Sequence, residues 1–370
     1  MTTRMLCIVG TRPEAIKMAP VILAFRREPW AETRVLATAQ HREMLDQVLT
    51  LFGIRPDLDL NLMRPDQTLP ELTARLMTGL DEMLGRERPD VVLAQGDTTT
   101  VMVAALACFY RRVPFCHVEA GLRTGDLASP FPEEMNRVVA SRLTSLHFAP
   151  TEGSRQNLLR EGIADRTILV TGNTVIDALL MTAAREMPIG VDGLDPSKRL
   201  ILVTAHRREN FGAPFLEICR ALRAIADRHE DVQILYPVHP NPNISVVAQR
   251  ELAGHPRIVL CEPLDYGPFT AAMRCAHLIL TDSGGVQEEA PALAKPVLVL
   301  RDETERPEAV AEGVVKLVGP HEAAVVREAG ILLDDPAAYR AMARGVSPYG
   351  DGKAAGRIVA AVRRFTARAG

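Results

Sequence analysis

Met5-Leu-Cys-Ile-Val9 is apolar at every position, and Gly10-Thr-Arg-Pro-Glu14 follows it without a spacer. A continuous rather than alternating apolar run is the mark of a parallel strand covered on both faces. The proline in the cluster suits the first turn of a helix. The same succession recurs along the chain. Asp90–Ala94 precedes Gln95-Gly-Asp-Thr-Thr-Thr100, and Pro114–Val118 precedes Glu119-Ala-Gly-Leu-Arg-Thr124. Later, Leu200–Val203 leads to Ala205-His-Arg-Arg-Glu209, Gln233–Pro237 to His239-Pro-Asn241, and Leu278–Leu280 to Asp282-Ser-Gly-Gly285. Val297–Leu300 leads to Arg301-Asp-Glu-Thr-Glu-Arg306. Other strand-like runs are Arg34–Ala37, Leu146–Ala149, Thr167–Val170, Arg257–Leu260 and Val315–Val318, and helical patterns such as Glu43–Leu51, Leu69–Leu84, Glu133–Thr144 and Pro214–Arg228 lie between strands. This alternation predicts two doubly wound, Rossmann-like α/β domains. Open α/β sheets bind ligands at the carboxyl ends of their strands, so two such edges facing each other would form one central cleft.

The length of 370 residues exceeds one typical core and fits two domains of somewhat under 200 residues each. The break falls near Thr171–Asp177, and a loop-like stretch, Met187–Lys198, precedes the first strand of the second half. The last helix, from about Lys353 to Arg368, has no strand after it and could cap either domain. The division adopted is 1–172, 173–352 and 353–370, with a return of the final helix to the first domain as one of its two possible placements. Hydrophobic residues at 47% and charged residues at 24% argue against disorder. A net charge of -3, from 43 basic and 46 acidic residues, argues against nucleic acid as the main partner. The longest apolar run, Val101–Phe109, is far short of the ~20 residues that span a bilayer, and Arg12 and Glu14 come too early for a signal peptide. Cys7, Cys108, Cys116, Cys219, Cys261 and Cys275 include no CxxC and read as thiols of a reduced, cytoplasmic protein.

Gly284 and Gly285 allow close backbone approach to a ligand, and the start of the helix they open favours a phosphate. An N-cap serine with turn glycines is the plainer reading of the same residues. Arg12 and Lys17 could both aim at a diphosphate, although Lys17 taken singly is a common solvated helix residue. No GxxxxGK[ST] occurs, and Gly350-Asp-Gly-Lys-Ala-Ala-Gly356 has the wrong spacing for a dinucleotide fingerprint. No NAD is therefore expected. His206, His239 and Asp282 lack the close spacing of a metal site, so no metal is expected either. The acid–base candidates are Asp97, Glu119, Glu133, Glu134 and His206. Glu133 could equally serve the helix dipole alone.

Taken in order across the chain, these motifs resemble the non-hydrolysing UDP-N-acetylglucosamine 2-epimerases of bacteria, which have the GT-B fold. The resemblance is carried by Gly10–Pro20, Thr38–Asp46, Gly96–Thr100, His117–Thr124, Pro132–Glu134, Thr171–Asp177, His206–Asn210, Asp282–Glu289 and Glu305–Ala309. It implies that Arg12 and Lys17 contact phosphates and that Ser283, Gly284 and Gly285 hold the diphosphate. It further implies that Glu289 binds the ribose, that Phe269 lines the uracil pocket and that Arg306 makes another substrate contact. Asp97, Glu119, Glu133 and His206 match the catalytic positions. Leu264 stands where some members carry Gln. Gln40, Arg208 and His239 fit the site at which many members bind a second UDP-GlcNAc as activator, but Glu43 stands where activator-dependent members often carry Gln. The resemblance also implies a homodimer, a UDP-sugar as the small-molecule partner, and a place in cell-envelope polysaccharide biosynthesis.

C2 of an N-acetylhexosamine is not next to a carbonyl carbon, so a base alone cannot remove its proton. Without NAD, the route left is loss of UDP from C1, formation of a 2-acetamidoglucal, and readdition after protonation from the opposite face. Two faces call for two acid–base groups. The competing readings are a GT-B glycosyltransferase, an inactive UDP-sugar sensor, and an epimerase of a 2,3-diacetamido sugar nucleotide.

Overall fold

The computed structural model describes residues 2–38, 42–62, 64 and 67–369. Gln40 lies outside them, as does the side chain of Glu43. The chain divides into two compact units, Met1–Ala178 with Tyr349–Gly370, and Leu179–Pro348. These divisions lie a few residues from those drawn at 172/173 and 352/353 in the sequence.

The first unit runs β1 (Thr3–Val9), α1 (Arg12–Arg26), β2 (Ala31–Ala37), α2 (Arg42–Leu51), β3 (Leu58–Asp59), α3 (Leu69–Glu87), β4 (Val91–Gln95) and α4 (Thr99–Arg111). It continues with β5 (Phe115–Val118), α5 (Glu133–Leu143), β6 (Leu146–Ala149), α6 (Glu152–Arg160), β7 (Ile168–Val170) and α7 (Thr174–Ala183), which runs on past the division. All its strands are parallel, in the order β3-β2-β1-β4-β5-β6-β7. The β3 strand escapes the sequence pattern because two residues carry no period. Leu6, Ile8, Leu36, Leu80, Val92 and Phe115 form part of the buried core.

The second unit runs β8 (Arg199–Thr204), α8 (Ala213–Arg228), β9 (Val232–Pro237), α9 (Pro242–Leu252), β10 (Ile258–Cys261), α10 (Tyr266–Cys275) and β11 (Ala276–Thr281). It ends with α11 (Gly284–Glu289), β12 (Val297–Val299), α12 (Pro307–Ala311), β13 (Val315–Leu317), α13 (Glu322–Asp334) and α14 (Pro336–Met342). Its strands are also parallel, in the order β10-β9-β8-β11-β12-β13. Ile201, Val203, Phe215, Tyr236, Leu278 and Leu280 lie in its core.

The last helix, α15 (Ala354–Ala369), packs on α1 in the first unit. Its start is fixed there by Asp177, whose carboxylate accepts the backbone N–H groups of Ala354 at 3.2 Å and Ala355 at 2.9 Å. These are N–H groups that a helix cannot satisfy internally. The Asn173 N–H reaches Tyr349 O at 2.6 Å and the Arg357 guanidinium reaches Thr171 O at 3.0 Å, so the returning segment is sewn to the end of β7. Burial raises the Asp177 carboxyl above its ordinary range, against the pull of those amides. Asp177→Ala should lower unfolding stability by about 1–2 kcal/mol, the loss of a helix cap. A urea titration followed by circular dichroism measures it, and an unchanged midpoint would mean that this cap contributes nothing.

Candidate functional site

Each sheet winds outward in both directions from one pair of neighbouring strands, β1 and β4 in the first unit and β8 and β11 in the second. Such a reversal leaves a crevice at the carboxyl ends where the flanking loops part. In both units a buried carboxylate ties those two loops together.

In the first unit the carboxylate is Glu14, 3% exposed, in the first turn of α1. Its Oε2 accepts the N–H of Gly10 at 2.8 Å and of Thr11 at 2.6 Å, and its Oε1 accepts the Thr98 hydroxyl at 2.6 Å. Thr11 and Glu14 form a capping box at the α1 start. Only glycine fits at position 10, since a Cβ there would lie 2.7 Å from Thr38 Oγ1. The turn thus fixed sends out Arg12, which has no hydrogen-bond or ion-pair partner among the described residues, and Lys17 one turn on.

Lys17 is no solvated helix residue. Its Nζ donates to Glu119 Oε1 at 2.6 Å, with the two side chains 20% and 7% exposed. Glu119 also accepts from Asn173 Nδ2 at 2.8 Å and from Gln95 Nε2. Its backbone is left-handed, at φ 64°, a conformation that side-chain-bearing residues adopt at a cost and that the surrounding donors hold in place. Asp97, after the neighbouring strand, pairs with Arg137 at 2.6 Å. Its turn is fixed on both sides: His117 Nε2 bonds the Gly96 carbonyl at 2.6 Å and Asn136 Nδ2 donates to the Asp97 carbonyl at 2.9 Å. Burial pushes the His117 imidazole down to about 4, so it is neutral at pH 7.

Glu133 and Glu134 part company at the start of α5. Glu134 is 1% exposed, accepts from the N–H groups of Thr124 and Gly125 at 3.0 Å each, and pairs with Arg137 at 3.0 Å. It holds a loop. Glu133 is half-buried and, among the described residues, has no hydrogen-bond or ion-pair partner. Gln95, Asn136, Arg137 and Asn173 were not picked out from the sequence. Gln95 ends β4, Asn136 and Arg137 lie inside α5 and Asn173 follows β7, and only the fold shows which of them converge on Asp97 or Glu119.

In the second unit the buried carboxylate is Asp282, fully buried at the end of β11. Its Oδ2 accepts the N–H of His206 at 2.8 Å, the N–H of Arg207 at 2.7 Å and Asn210 Nδ2 at 3.0 Å. The Tyr236 hydroxyl donates to Ala205 O at 2.7 Å, which fixes the strand end before His206. Ser283 takes the N-cap position of α11, but its side chain makes no capping bond, contrary to the plainer reading of that serine. The Arg207 guanidinium lies beside Gly284, 3.7 Å from where a Cβ would sit. Arg208, singled out in the sequence, instead points from an exposed 3-10 turn. His239 is exposed and stacks on His206, with ring centroids 5.6 Å apart at 21°.

Deeper in the same unit Glu289 is 7% exposed and accepts the Tyr266 hydroxyl at 2.9 Å. Phe269 is half-buried on the same helix as Tyr266. Arg306 pairs with Glu288, and the Thr304 hydroxyl donates to Gln287 Oε1 at 2.6 Å. Among the described residues no cluster of three His, Cys, Asp or Glu could hold a metal ion, and no helix is long and apolar enough to cross a membrane.

Two doubly wound parallel α/β units of this kind define the GT-B class. The sequence profile of the UDP-N-acetylglucosamine 2-epimerases matches residues 23–363. The chain is 54% identical over 369 residues to UDP-N-acetylglucosamine 2-epimerase of Escherichia coli K12, covering 97% of this chain and 98% of that one. It is similar to the crystal structure of UDP-GlcNAc 2-epimerase from Neisseria meningitidis bound to UDP-GlcNAc, with a TM-score of 0.86, 46% identity, and 98% and 100% of the two chains covered. It also resembles the Methanocaldococcus jannaschii enzyme in complex with UDP-GlcNAc and UDP, with a TM-score of 0.77, 33% identity, and 98% and 100% covered. The chain belongs to the UDP-N-acetylglucosamine 2-epimerase family.

Removing Lys17 would take a positive charge from 2.6 Å beside the mostly buried Glu119 carboxylate. Lys17→Met should therefore lower stability by roughly 2–3 kcal/mol, within the range for a charged hydrogen bond in a partly buried pair. Denaturant midpoints for the wild type and the variant decide this. Equal midpoints would show that the Lys17–Glu119 pair is not held in solution.

Proposed function

We propose that the chain catalyses the reversible 2-epimerisation of UDP-N-acetylglucosamine to UDP-N-acetylmannosamine, by eliminating UDP and adding it back. The observation that carries this reading is a set of three carboxylates in unequal surroundings, two just after the ends of β4 and β5 and one at the start of α5. Glu119 is enclosed by donors, Asp97 is paired with Arg137, and Glu133 has no partner among the described residues. Family membership supplies the substrate class.

The chemistry follows from the bond that must break. The C1–O bond opens with its electron pair going to the diphosphate oxygen. Arg12, Lys17, His206 and the amides at Ser283–Gly285 would disperse that charge, along with Arg207, which lies against Gly284. Positive character at C1 acidifies C2–H, a carboxylate takes the proton, and the C2–H electrons close the C1=C2 bond of a 2-acetamidoglucal. A proton then reaches C2 from the other face while an oxygen of the terminal phosphate re-forms the bond to C1. Asp97 and Glu133 carry these proton transfers in our assignment, because their carboxylates are less enclosed than that of Glu119. Glu119 orients Lys17.

In the second unit Glu289, anchored by Tyr266, takes the ribose hydroxyls, Phe269 flanks the uracil, and Arg306 is a further substrate contact held by Glu288. A second UDP-GlcNAc as activator would use Arg208 and His239, with Gln40 and Glu43. The protein acts as a homodimer in this reading, which the exposed aromatic pair Phe109 and Tyr110 at the end of α4 supports. Six unpaired thiols support a cytoplasmic setting, where the product would feed cell-envelope polysaccharides.

Turnover in deuterium oxide should place deuterium at C2 of product and recovered substrate, since the acid that returns the proton exchanges with water. Proton NMR of the sugar after many turnovers reads this, and retention of protium at C2 would overturn the proposal. The phosphate and proton roles separate by mutation. Arg12→Ala should weaken UDP binding about tenfold or more, the loss of a charge-assisted hydrogen bond, whereas Glu133→Gln should keep binding and lose turnover. Calorimetry with UDP and a turnover assay distinguish the two. Wild-type affinity in Arg12→Ala would take that side chain out of the phosphate site.

A further inference from the structure

One oxygen of the buried carboxylate in the second unit is left over. Asp282 spends its Oδ2 on three donors, but its Oδ1, equally shut off from water, accepts no hydrogen bond from any described residue. A buried carboxylate oxygen without a donor is costly, and it persists where a donor arrives at some stage of the working cycle. His206 Nδ1 lies 3.7 Å from it. A move of about 0.8 Å would bring the two within hydrogen-bond range.

The geometry lets that move happen by side-chain rotation alone. The backbone of His206 is already tethered to Asp282 through its own N–H, so the residue cannot drift away. Its ring, 38% exposed, lies against His239 on one face, and in-plane adjustment keeps the stack. The charges that face the ring are Asp282, His239 and Arg207. Burial pushes the imidazole below its ordinary range; Asp282 pulls it up, while His239 and Arg207 push it further down. The balance favours the neutral ring. A second anion beside it would reverse the balance.

We propose that Asp282 is a positioning residue for His206: when a diphosphate occupies the site, His206 takes up a proton, donates from Nδ1 to Asp282 Oδ1, and meets the diphosphate as a cation through Nε2. The Asp282 carboxylate thus does two jobs with two oxygens. Oδ2 builds the loop that carries His206, and Oδ1 sets the ring nitrogen that faces the ligand. The arrangement uses the logic by which a buried carboxylate orients a histidine and supports its charged form during proton transfer. The inference rests on the nucleotide-sugar reading for the identity of the anion, and on the geometry alone for the pair.

The test is nitrogen NMR of protein labelled at histidine, with His206→Ala to assign the signal, titrated free and saturated with UDP-GlcNAc. Saturation should raise the His206 pKa by about one unit or more and protonate Nδ1. In Asp282→Asn, where an amide can face Nδ1, that response should be lost. The variant should also lose kcat roughly tenfold or more with little change in KM, and the loss should vanish in the His206→Ala background. An unchanged His206 titration on binding would overturn the pairing. An equal kcat loss in both backgrounds would reduce Asp282 to a loop tether. If Asp282→Asn does not fold, the wild-type titration decides. If UDP-GlcNAc does not bind, the functional reading falls, and titration with inorganic pyrophosphate still decides the pair.

Discussion

One carboxylate buried at the winding reversal of each sheet is the constraint on which the candidate site of each unit depends. Glu14 joins the loop after β1 to the loop after β4, and Asp282 joins the loop after β8 to the start of α11. Parallel strands end with backbone N–H groups that the ladder no longer satisfies, and a carboxylate accepts several of them at once. Neither residue could be replaced by an apolar one of similar size without stranding two amides. Each therefore fixes a turn that carries the candidate ligand-binding groups, Arg12 and Lys17 in one unit and His206 and Arg207 in the other.

The residues at the two strand edges are arranged differently. The first concentrates charge of both signs, with Lys17 and Arg137 set against Glu119, Asp97 and Glu134, so that most of its ionised groups are already engaged. Held acids and bases keep their geometry while a proton moves, which suits the chemical end of a substrate. The second offers backbone amides at Gly284 and Gly285, the Arg207 side chain, without a hydrogen-bond or ion-pair partner among the described residues, and a partly exposed imidazole, which suits an anion that must arrive and stay. Glu119 shows the cost of such placement, since it holds a left-handed backbone that lysine and amide donors maintain.

Much of the fold was legible because buried parallel strands announce themselves as short apolar runs, from Met5–Val9 to Val315–Val318. The two-residue β3 was too short to show a pattern. The site was legible as positions rather than as contacts. Asp97, Glu119 and His206 each follow a strand, and that alone places them at a carboxyl edge. Their partners were not legible, because Asn173 reaches Glu119 across 54 residues and Asp282 reaches His206 across 76. The neighbours Glu133 and Glu134 were indistinguishable in the sequence. Helix geometry turns one inward to two backbone amides and leaves the other without a partner among the described residues. Arg207 and Arg208 part in the same way.

In the proposed reaction the bond from C1 to the diphosphate breaks before C2 is re-protonated, and UDP stays bound meanwhile. Substrate carrying heavy oxygen in the bridge between C1 and the β-phosphorus tests this directly. Once UDP departs, rotation of its terminal phosphate makes the oxygens equivalent, so phosphorus NMR should show the label spreading into non-bridging positions as epimerisation proceeds. A label that stays in the bridge while UDP-N-acetylmannosamine accumulates would contradict the account.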